Sequence, residues 1–164
     1  MEQNENRKRK GALVVIDGKP PVADNTTIML YAVKFRAVDE GIPTAYFGHG
    51  VSDKEVVHQL ISIMLDTDYE HVAAGELNER EWKRLDEKLV RLKDAPLYID
   101  DTPEQTLSEL KEKIEDLVIT KGVSLCVIDH MEKVITPGTE KDVHFSLKAL
   151  AERMGIVVIV IKES

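Results

Sequence analysis

The segment from Gly11 to Leu30, GALVVIDGKPPVADNTTIML, has the layout of a phosphate-binding loop. The motif that binds nucleotide phosphates reads G-x-x-x-x-G-K-[ST] after a strand and before a helix. Here Gly18 is followed, after four residues, by Ala23, Asp24 and Asn25. In the motif the second glycine lets backbone N–H groups close round the phosphates, the lysine supplies positive charge, and the hydroxyl holds magnesium. The side chains that would do this chemistry are therefore replaced.

The aspartate in the lysine position has the largest expected effect on nucleotide affinity. Two unit charges about 4 Å apart interact by roughly 4 kcal/mol at an effective dielectric constant of about 20, so the exchange changes one phosphate contact by up to roughly 8 kcal/mol. A third of that value already lowers affinity about a hundredfold. Lys19, in the same predicted loop as Asp24, could supply the missing positive charge. The segment predicts a nucleotide-hydrolase scaffold that does not handle nucleotide in the usual way.

Five short apolar runs are spaced along the chain as the strands of one sheet would be. Each run is nearly continuous rather than alternating, which is typical of parallel strands buried on both faces. Helical patterns fall between the runs, so we predict an α/β fold with a mostly parallel sheet of about five strands and helices on both faces. The predicted strands are Ala12 to Ile16, Thr44 to Phe47, Pro96 to Ile99, Ser124 to Ile128 and Ile156 to Ile161.

Capping residues and apolar stripes mark the predicted helices between these strands. Trp82 is expected to face the core, or alternatively to mark a contact surface, because a short sheet leaves an edge strand that needs cover. The stretches Asp66 to Glu70 and Ile135 to Glu140 are predicted loops. The predicted helices run from Thr26 to Glu40, from Ser52 to about Met64, from Asn78 to about Leu92, from Thr102 to its end at Gly122 and from about Asp142 to Met154.

The length and charge of the chain limit the classes of protein to which it can belong. We predict a single domain over residues 11–164 after a basic and polar arm over residues 1–10, in a chain of 164 residues. A net charge of −8 argues against a broad nucleic-acid surface, so DNA binding is expected to be weak or absent. No apolar run is long enough for a membrane span, and no signal sequence is recognisable, so the expected location is cytoplasmic. Cys126 lies in an apolar strand pattern and is expected to be buried.

Other polar residues give weaker signals. Asp100 and Asp101 follow a predicted strand, where they could form a site, but turn formation and capping of the next helix by Thr102 explain them as well. The histidines show no spacing typical of a metal site. They are His49, His58, His71, His130 and His144.

Several longer strings carry a family resemblance. The stretch GELNEREWKRL from Gly75, the string APLYIDDTP from Ala95, VID ending at Asp129 and SLKALAERM from Ser146 resemble, in order and spacing, the C-terminal motor domain of DnaB-type replicative helicases. The resemblance extends from about Gly11 to Ser164 and implies a RecA-like P-loop NTPase fold. In active members it also implies ATP-driven movement of a hexameric ring on single-stranded DNA. Because the family continues beyond the last matched strand, the resemblance implies a shortened domain.

When the nucleotide-site residues of the family are transferred to this sequence position by position, the resemblance implies that most of them are replaced. The phosphate-loop residues fall on Gly18, Lys19, Ala23, Asp24 and Asn25, and Gly50 takes the place of the glutamate that activates water. A glycine cannot act as a general base. The phosphate-sensing end of the last strand falls on Lys162 and Glu163. Asp129 matches the aspartate that orients magnesium, although a strand-end aspartate is also common as a structural residue in α/β sheets.

Two hypotheses follow. The first is a DnaB-like domain without ATPase activity that needs no cofactor and serves as an interaction or regulatory module in DNA replication, with a helicase-like protein or a second copy as partner. The second is a helicase-class ATPase with an atypical site, in which Lys19 replaces the lysine of the loop and ATP and Mg²⁺ bind near Asp129. A third reading, a fragment or decaying relative, also fits the sequence.

Overall fold

A sheet of five parallel strands organises the residues that the computed structural model describes, which are 10–17 and 25–162. Hydrogen bonding places the strands in the order β1-β7-β5-β2-β3, so the first and last strands of the described chain are neighbours. A second, two-stranded parallel sheet pairs β4 with β6. The strands are β1 (Ala12–Asp17), β2 (Thr44–Phe47), β3 (Leu97–Asp100), β4 (Gln105–Thr106), β5 (Leu125–Ile128), β6 (Val134–Ile135) and β7 (Val157–Lys162).

The helices begin and end largely where their caps predict. Ser52, Asn78, Thr106 and Thr139 each accept a hydrogen bond from the backbone N–H three residues later, which satisfies one free donor at the start of a helix. The helices are α1 (Asn25–Val33), which continues as a π-helical segment (Lys34–Asp39), then α2 (Asp53–Leu65), α3 (Tyr69–Ala74), α4 (Glu79–Asp94), α5 (Leu107–Lys121) and α6 (Glu140–Met154).

Helices cover both faces of the main sheet, which confirms the predicted layer order. On one face α5 and α6 bury Leu110, Ile114 and Leu147 against β2, β5 and β7. On the other face α1 and α2 bury Leu30 and Leu60 against the same three strands. Burial of one such side chain contributes about 1.5–3 kcal/mol, so the two apolar layers hold the carboxyl ends of the central strands in place.

The first strand is not buried on both faces, contrary to the prediction from its apolar sequence. Val14 is 43% exposed and Val15 is 40% exposed, and their side chains point to opposite faces of the sheet. The strand lies at the edge of the sheet, with β7 as its only strand partner among the described residues. Gly11, just before it, packs so closely against α6 that a Cβ atom there would lie 1.7 Å from the carbonyl oxygen of Ala151.

Three further predictions about local structure are wrong. The predicted loop at Asp66 to Glu70 contains the start of α3, which begins at Tyr69. The helix expected from Thr102 begins at Leu107, because Thr106 and Glu109 form the capping box there. Trp82 does not face the core, since it is 46% exposed on a helix that has no buried residue. Cys126, in contrast, is buried as predicted, and burial raises the pKa of its thiol to about 12.

Candidate functional site

The predicted site lies at the carboxyl ends of β1, β5 and β7, where parallel strands of open α/β sheets form binding crevices. Of the predicted loop residues, Gly18, Lys19, Ala23 and Asp24 lie outside the described residues. Asn25 is the first residue of α1. The predictions for these five residues, and for the arm over residues 1–10 apart from Lys10, therefore stay predictions.

Asp129 is the centre of a buried hydrogen-bond network that joins three elements. Its side chain is fully buried at the end of β5. Oδ2 accepts hydrogen bonds from the hydroxyl of Tyr46 on β2, at 2.6 Å, and from the hydroxyl of Thr26 on α1, at 2.8 Å. Oδ1 accepts one from the backbone N–H of His130, at 2.9 Å. Three donors thus satisfy a carboxylate that would otherwise be costly to bury.

This arrangement is a poor fit to a magnesium site. Magnesium prefers several oxygen ligands in an octahedral shell and usually keeps several waters. A cation that bound Asp129 directly would have to share the carboxylate oxygens with three hydrogen-bond donors of the protein. Within residues 10–17 and 25–162 no group of three or more His, Cys, Asp or Glu side chains is placed to hold a metal ion.

The charge at the end of β7 is balanced within the protein. The ammonium of Lys162 donates to the carboxylate of Glu140 at 2.9 Å. This hydrogen bond raises the pKa of Lys162, and the same bond lowers the pKa of Glu140. The carboxylates of Asp17 and Glu132 also contribute to the raised pKa of Lys162. A bound phosphate would therefore compete with acidic side chains for the only positive charge on β7.

The turn after β2 has a backbone that disfavours a glutamate at position 50. Gly50 has φ of +103°, a conformation that residues with side chains rarely adopt, and His49 before it has φ of +46°. A Cβ atom at Gly50 would also lie 3.1 Å from Nζ of Lys133, which donates to the carbonyl oxygen of His49. The position at which the resemblance predicts the loss of a catalytic glutamate lies in a tight turn, where Lys133 donates to the carbonyl oxygen of His49.

His49 connects this turn to the second sheet. The ring is fully buried, and Nδ1 donates to the backbone carbonyl oxygen of Asp129 at 2.8 Å. Nε2 then accepts from the side-chain amide of Gln105 on β4, at 2.9 Å. One ring nitrogen thus donates a hydrogen bond and the other accepts one, which is the pattern of a neutral imidazole. Burial lowers the pKa of His49, and the hydrogen bond to Asp129 opposes that shift only in part.

Asp100, the first of the paired carboxylates at the end of β3, is held in structural contacts. Asp100 accepts a hydrogen bond from the backbone N–H of Thr102 and forms an ion pair with Lys113 of α5 at 2.9 Å. Burial alone would raise the pKa of Asp100, but the hydrogen bonds from Lys113 and Thr102 outweigh it and lower the pKa. The turn predicted from the sequence is present, whereas the cap of the next helix lies at Thr106.

The parallel sheet, its strand order and the helices on both faces place the chain in the class of RecA-like α/β domains. A family model described as the DnaB-like helicase C terminal domain matches residues 5–163. The chain belongs to this family, as the resemblance of its longer sequence strings predicted.

Curated relatives with similar sequences carry the name of replicative DNA helicases. The protein named replicative DNA helicase DnaB from Leifsonia xyli is 25% identical over 170 residues, which cover 99% of this chain and 37% of the relative. The protein of the same name from Geobacillus stearothermophilus is 24% identical over 163 residues, covering 94% of this chain and 36% of the relative. The chain therefore spans little more than a third of the length of these relatives.

Solved structures confirm the fold. One, described as an ATPase domain, superimposes with a TM-score of 0.76 at 16% identity, over 95% of this chain and 57% of the other. A second, described as a DnaB-like replicative helicase and its interactions with primase, gives a TM-score of 0.74 at 15% identity, over 94% of this chain and 39% of the other. The predicted RecA-like fold is thus confirmed.

Sequence reasoning missed four residues of the network. Thr26, Gln105 and the neighbouring Tyr46 and His49 come from three separate parts of the sequence and show no motif. A signal existed for one of them, since a tyrosine inside a strand predicted to be buried needs a hydrogen-bond partner for its hydroxyl group. The strand order, which places β2 beside β5, was needed to identify Asp129 as that partner.

The Tyr46→Phe substitution tests the structural role of Asp129. Loss of a hydrogen bond to a charged group inside the protein should lower the free energy of unfolding by about 1.5–3 kcal/mol. Tyr98→Phe, at a half-buried tyrosine on β3, is the matched control and should cost less than about 0.5 kcal/mol. Denaturant unfolding measures both, and equal losses in the two variants would contradict the role assigned to Asp129.

His49→Asn tests the neutral state of the buried imidazole. Because the folded-state pKa is lowered, the unfolded chain takes up a proton first as pH falls. The stabilisation from neutral His49 is fully present above about pH 6.5 and is lost as pH falls below that value towards the folded-state pKa. We expect the free energy of unfolding to fall less between pH 7 and pH 5 in His49→Asn than in the wild type, since asparagine tolerates the left-handed backbone without titrating.

The exposed His71→Asn variant controls for the loss of a histidine as such. Denaturant unfolding at several pH values measures how the free energy of unfolding changes with pH in each variant. If His49→Asn kept the full pH dependence of the wild type, the assignment would be wrong.

Proposed function

We propose that this chain is a DnaB-like domain that does not hydrolyse ATP and acts through contacts with other proteins of DNA replication. The observation that carries the proposal is the buried network around Asp129. Its carboxylate accepts hydrogen bonds from the hydroxyl groups of Thr26 and Tyr46 and from the backbone N–H of His130. A side chain committed to three protein donors is poorly placed to orient a metal ion.

Two further features support the loss of hydrolysis. Gly50 offers no carboxylate to activate water, and its backbone conformation would strain a glutamate at that position. Asp24 stands in the sequence where the phosphate loop has its lysine, which replaces attraction to phosphate by repulsion. Asp24 thus opposes the binding of nucleotide, and Gly50 opposes its hydrolysis.

One observation favours the alternative, a helicase-class ATPase with an atypical site. The hydroxyl of Thr26 lies at the start of α1, next to Asn25, and contacts Asp129. A hydroxyl beside this aspartate is the type of ligand that the phosphate loop supplies to magnesium. In this alternative Thr26 would replace the missing hydroxyl and Lys19 the missing lysine.

The partner class follows from the family. Curated relatives are named replicative DNA helicases, and this chain has the fold of the part of such a domain that it matches, 57% of one solved ATPase domain. A domain that shares part of the fold of a helicase subunit can pack against such subunits without itself turning over ATP. The net charge of −8 supports weak or absent DNA binding, and the proposed place of action is the cytoplasm. Within residues 10–17 and 25–162 no helix has the length and apolar character needed to span a bilayer.

Thermal melting with ATP and magnesium separates the two functions. A ligand at 100 times its dissociation constant adds about 2.7 kcal/mol to the free energy of unfolding, which shifts the melting temperature of a domain of this size by several degrees. We expect no shift for the wild type at millimolar ATP. The triple variant Ala23→Gly, Asp24→Lys and Asn25→Thr restores the loop motif and is expected to melt higher when ATP is added. A clear shift in the wild type would overturn the proposal.

Mixing with a replicative helicase tests the partner. We expect the purified chain to co-elute with the DnaB-type helicase of the same host in size-exclusion chromatography with light scattering, and to elute alone when mixed with an unrelated protein of similar size. The measurement is made without nucleotide and again with ATP and magnesium bound to the helicase. Elution as separate species in both conditions would contradict the proposed interaction.

A further inference from the structure

The helices α3 and α4 share an apolar cluster that is separate from the two large layers on the sheet. Each large layer includes residues of the main strands, whereas this third cluster is formed by α2, α3, α4 and the turn between α3 and α4. One member, Leu92, also packs against the layer of α1 and α2. The attachment of α3 and α4 therefore depends chiefly on α2. The members of the cluster are Val57, Ile61, Leu65, Val72, Leu77, Leu85 and Leu92.

Side chains of α4 complete the hydrogen bonding at the end of α2. The last four carbonyl oxygens of an α-helix have no partner within the helix. In α2 the first two of these accept hydrogen bonds from the backbone of the turn that follows. The last two accept from α4 instead. The ammonium of Lys88 donates to the carbonyl oxygen of Met64 at 2.8 Å, and the guanidinium of Arg84 donates to that of Leu65 at 3.3 Å.

One face of α4 carries both kinds of contact. Residues three or four apart on a helix lie on the same side, so Arg84 and Lys88 are neighbours of Leu85 and Leu92. Two cations at the C-terminal end of α2 also interact favourably with its helix dipole. When α4 moves away, water reaches both carbonyl oxygens and replaces the lost hydrogen bonds. The polar contacts therefore hold α4 in place without preventing its release.

The segment that contains α3 and α4 lies between two turns. Before α3, Asp66 has φ of +51°, a left-handed conformation that is uncommon for a residue with a side chain. After α4, the backbone of Ala95 is extended, as expected before a proline. The carbonyl oxygen of Pro96 accepts a hydrogen bond from the N–H of Thr44 at 2.9 Å, which ties the chain to β2 again. The segment between these turns comprises residues 67–95.

We propose that residues 67–95 form a strap over the end of α2, which opens as one unit while the main sheet, α5 and α6 stay folded. Parts of a protein with few buried apolar contacts open at a lower free energy than the whole molecule unfolds. In the cluster under the strap Ile61, Leu65 and Val72 are buried, and the other members are half-buried. Opening of the strap uncovers the apolar side of α2, so the strap controls access to that side.

Native-state hydrogen exchange of the full chain, followed by mass spectrometry of peptides, measures the opening. We expect the hydrogen-bonded amides of α3 and α4 to be protected roughly tenfold or more weakly than those of β2, β5 and β7. We also expect α3 and α4 to share one opening free energy. Equal protection of the strap and the central strands would show that α3 and α4 open only when the whole chain unfolds, which would overturn the proposal.

Ile114→Val separates opening of the strap from global unfolding. Ile114 is fully buried between α5 and the sheet, away from the cluster under the strap. Its contacts stay intact when only the strap opens. The variant should therefore speed exchange of the central strands by roughly two- to tenfold and leave exchange of α3 and α4 unchanged. Equal acceleration of the strap and the central strands would contradict a separate opening.

The double substitution Arg84→Met and Lys88→Met tests the polar contacts. Methionine keeps a long unbranched side chain and a similar helix propensity but cannot donate to α2. Exchange of α3 and α4 should become roughly tenfold faster, with the same factor for both helices. The central strands should accelerate too, because global unfolding breaks the same contacts.

Lys93→Met, at an exposed lysine of α4, is the matched control and should change exchange by less than about threefold. A double variant that behaves like this control, or that speeds exchange of α4 but not of α3, would show that the strap does not open as proposed. The inference does not depend on the proposed loss of ATP hydrolysis, because no measurement involves nucleotide.

Discussion

The buried carboxylate of Asp129 is the constraint on which the site depends. A buried carboxyl group must have its oxygens satisfied, and here the donors are the hydroxyl of Thr26 at the start of α1, the hydroxyl of Tyr46 in β2 and the backbone N–H of His130. The network therefore fixes the relative positions of three elements that meet at one edge of the sheet. The neighbouring His49 extends it through the backbone of Asp129 to β4. The end of the sheet around Asp129 is therefore a structural junction between strands and helices.

Fold prediction succeeded where local sequence decides structure. The strand positions differ from the predicted ones by one residue at most at either end, because short apolar runs between capping signals leave little choice. Helix starts at Ser52 and Asn78 were likewise predictable from side chains that accept backbone hydrogen bonds. The start of α5 was predicted too early, because the proline after Thr102 was a weaker signal than the capping box formed by Thr106 and Glu109.

Features that depend on the order of the strands could not be predicted from the sequence. The apolar β1 has the same sequence character as the central β5, and only its position at the edge exposes Val14 and Val15. The hydrogen bond between Tyr46 and Asp129 could not be predicted either, because it depends on β2 lying beside β5. For the site itself, the family resemblance located Asp129 and Gly50, but the resemblance did not indicate that His49 and Gly50 form a left-handed turn supported by Lys133. Such a turn depends on tertiary contacts.

The pairing of β1 with β7 also has a consequence for how the chain acquires its structure. Ala12 lies beside Val157, so the first described strand has as its strand partner the last described strand. Contacts between residues so distant in sequence form late, because the loop between them must close at an entropic cost. The apolar β1 can therefore form its ladder with β7 only after nearly the whole of the described chain has been synthesised. Until then its unpaired backbone groups and apolar side chains are exposed to aggregation.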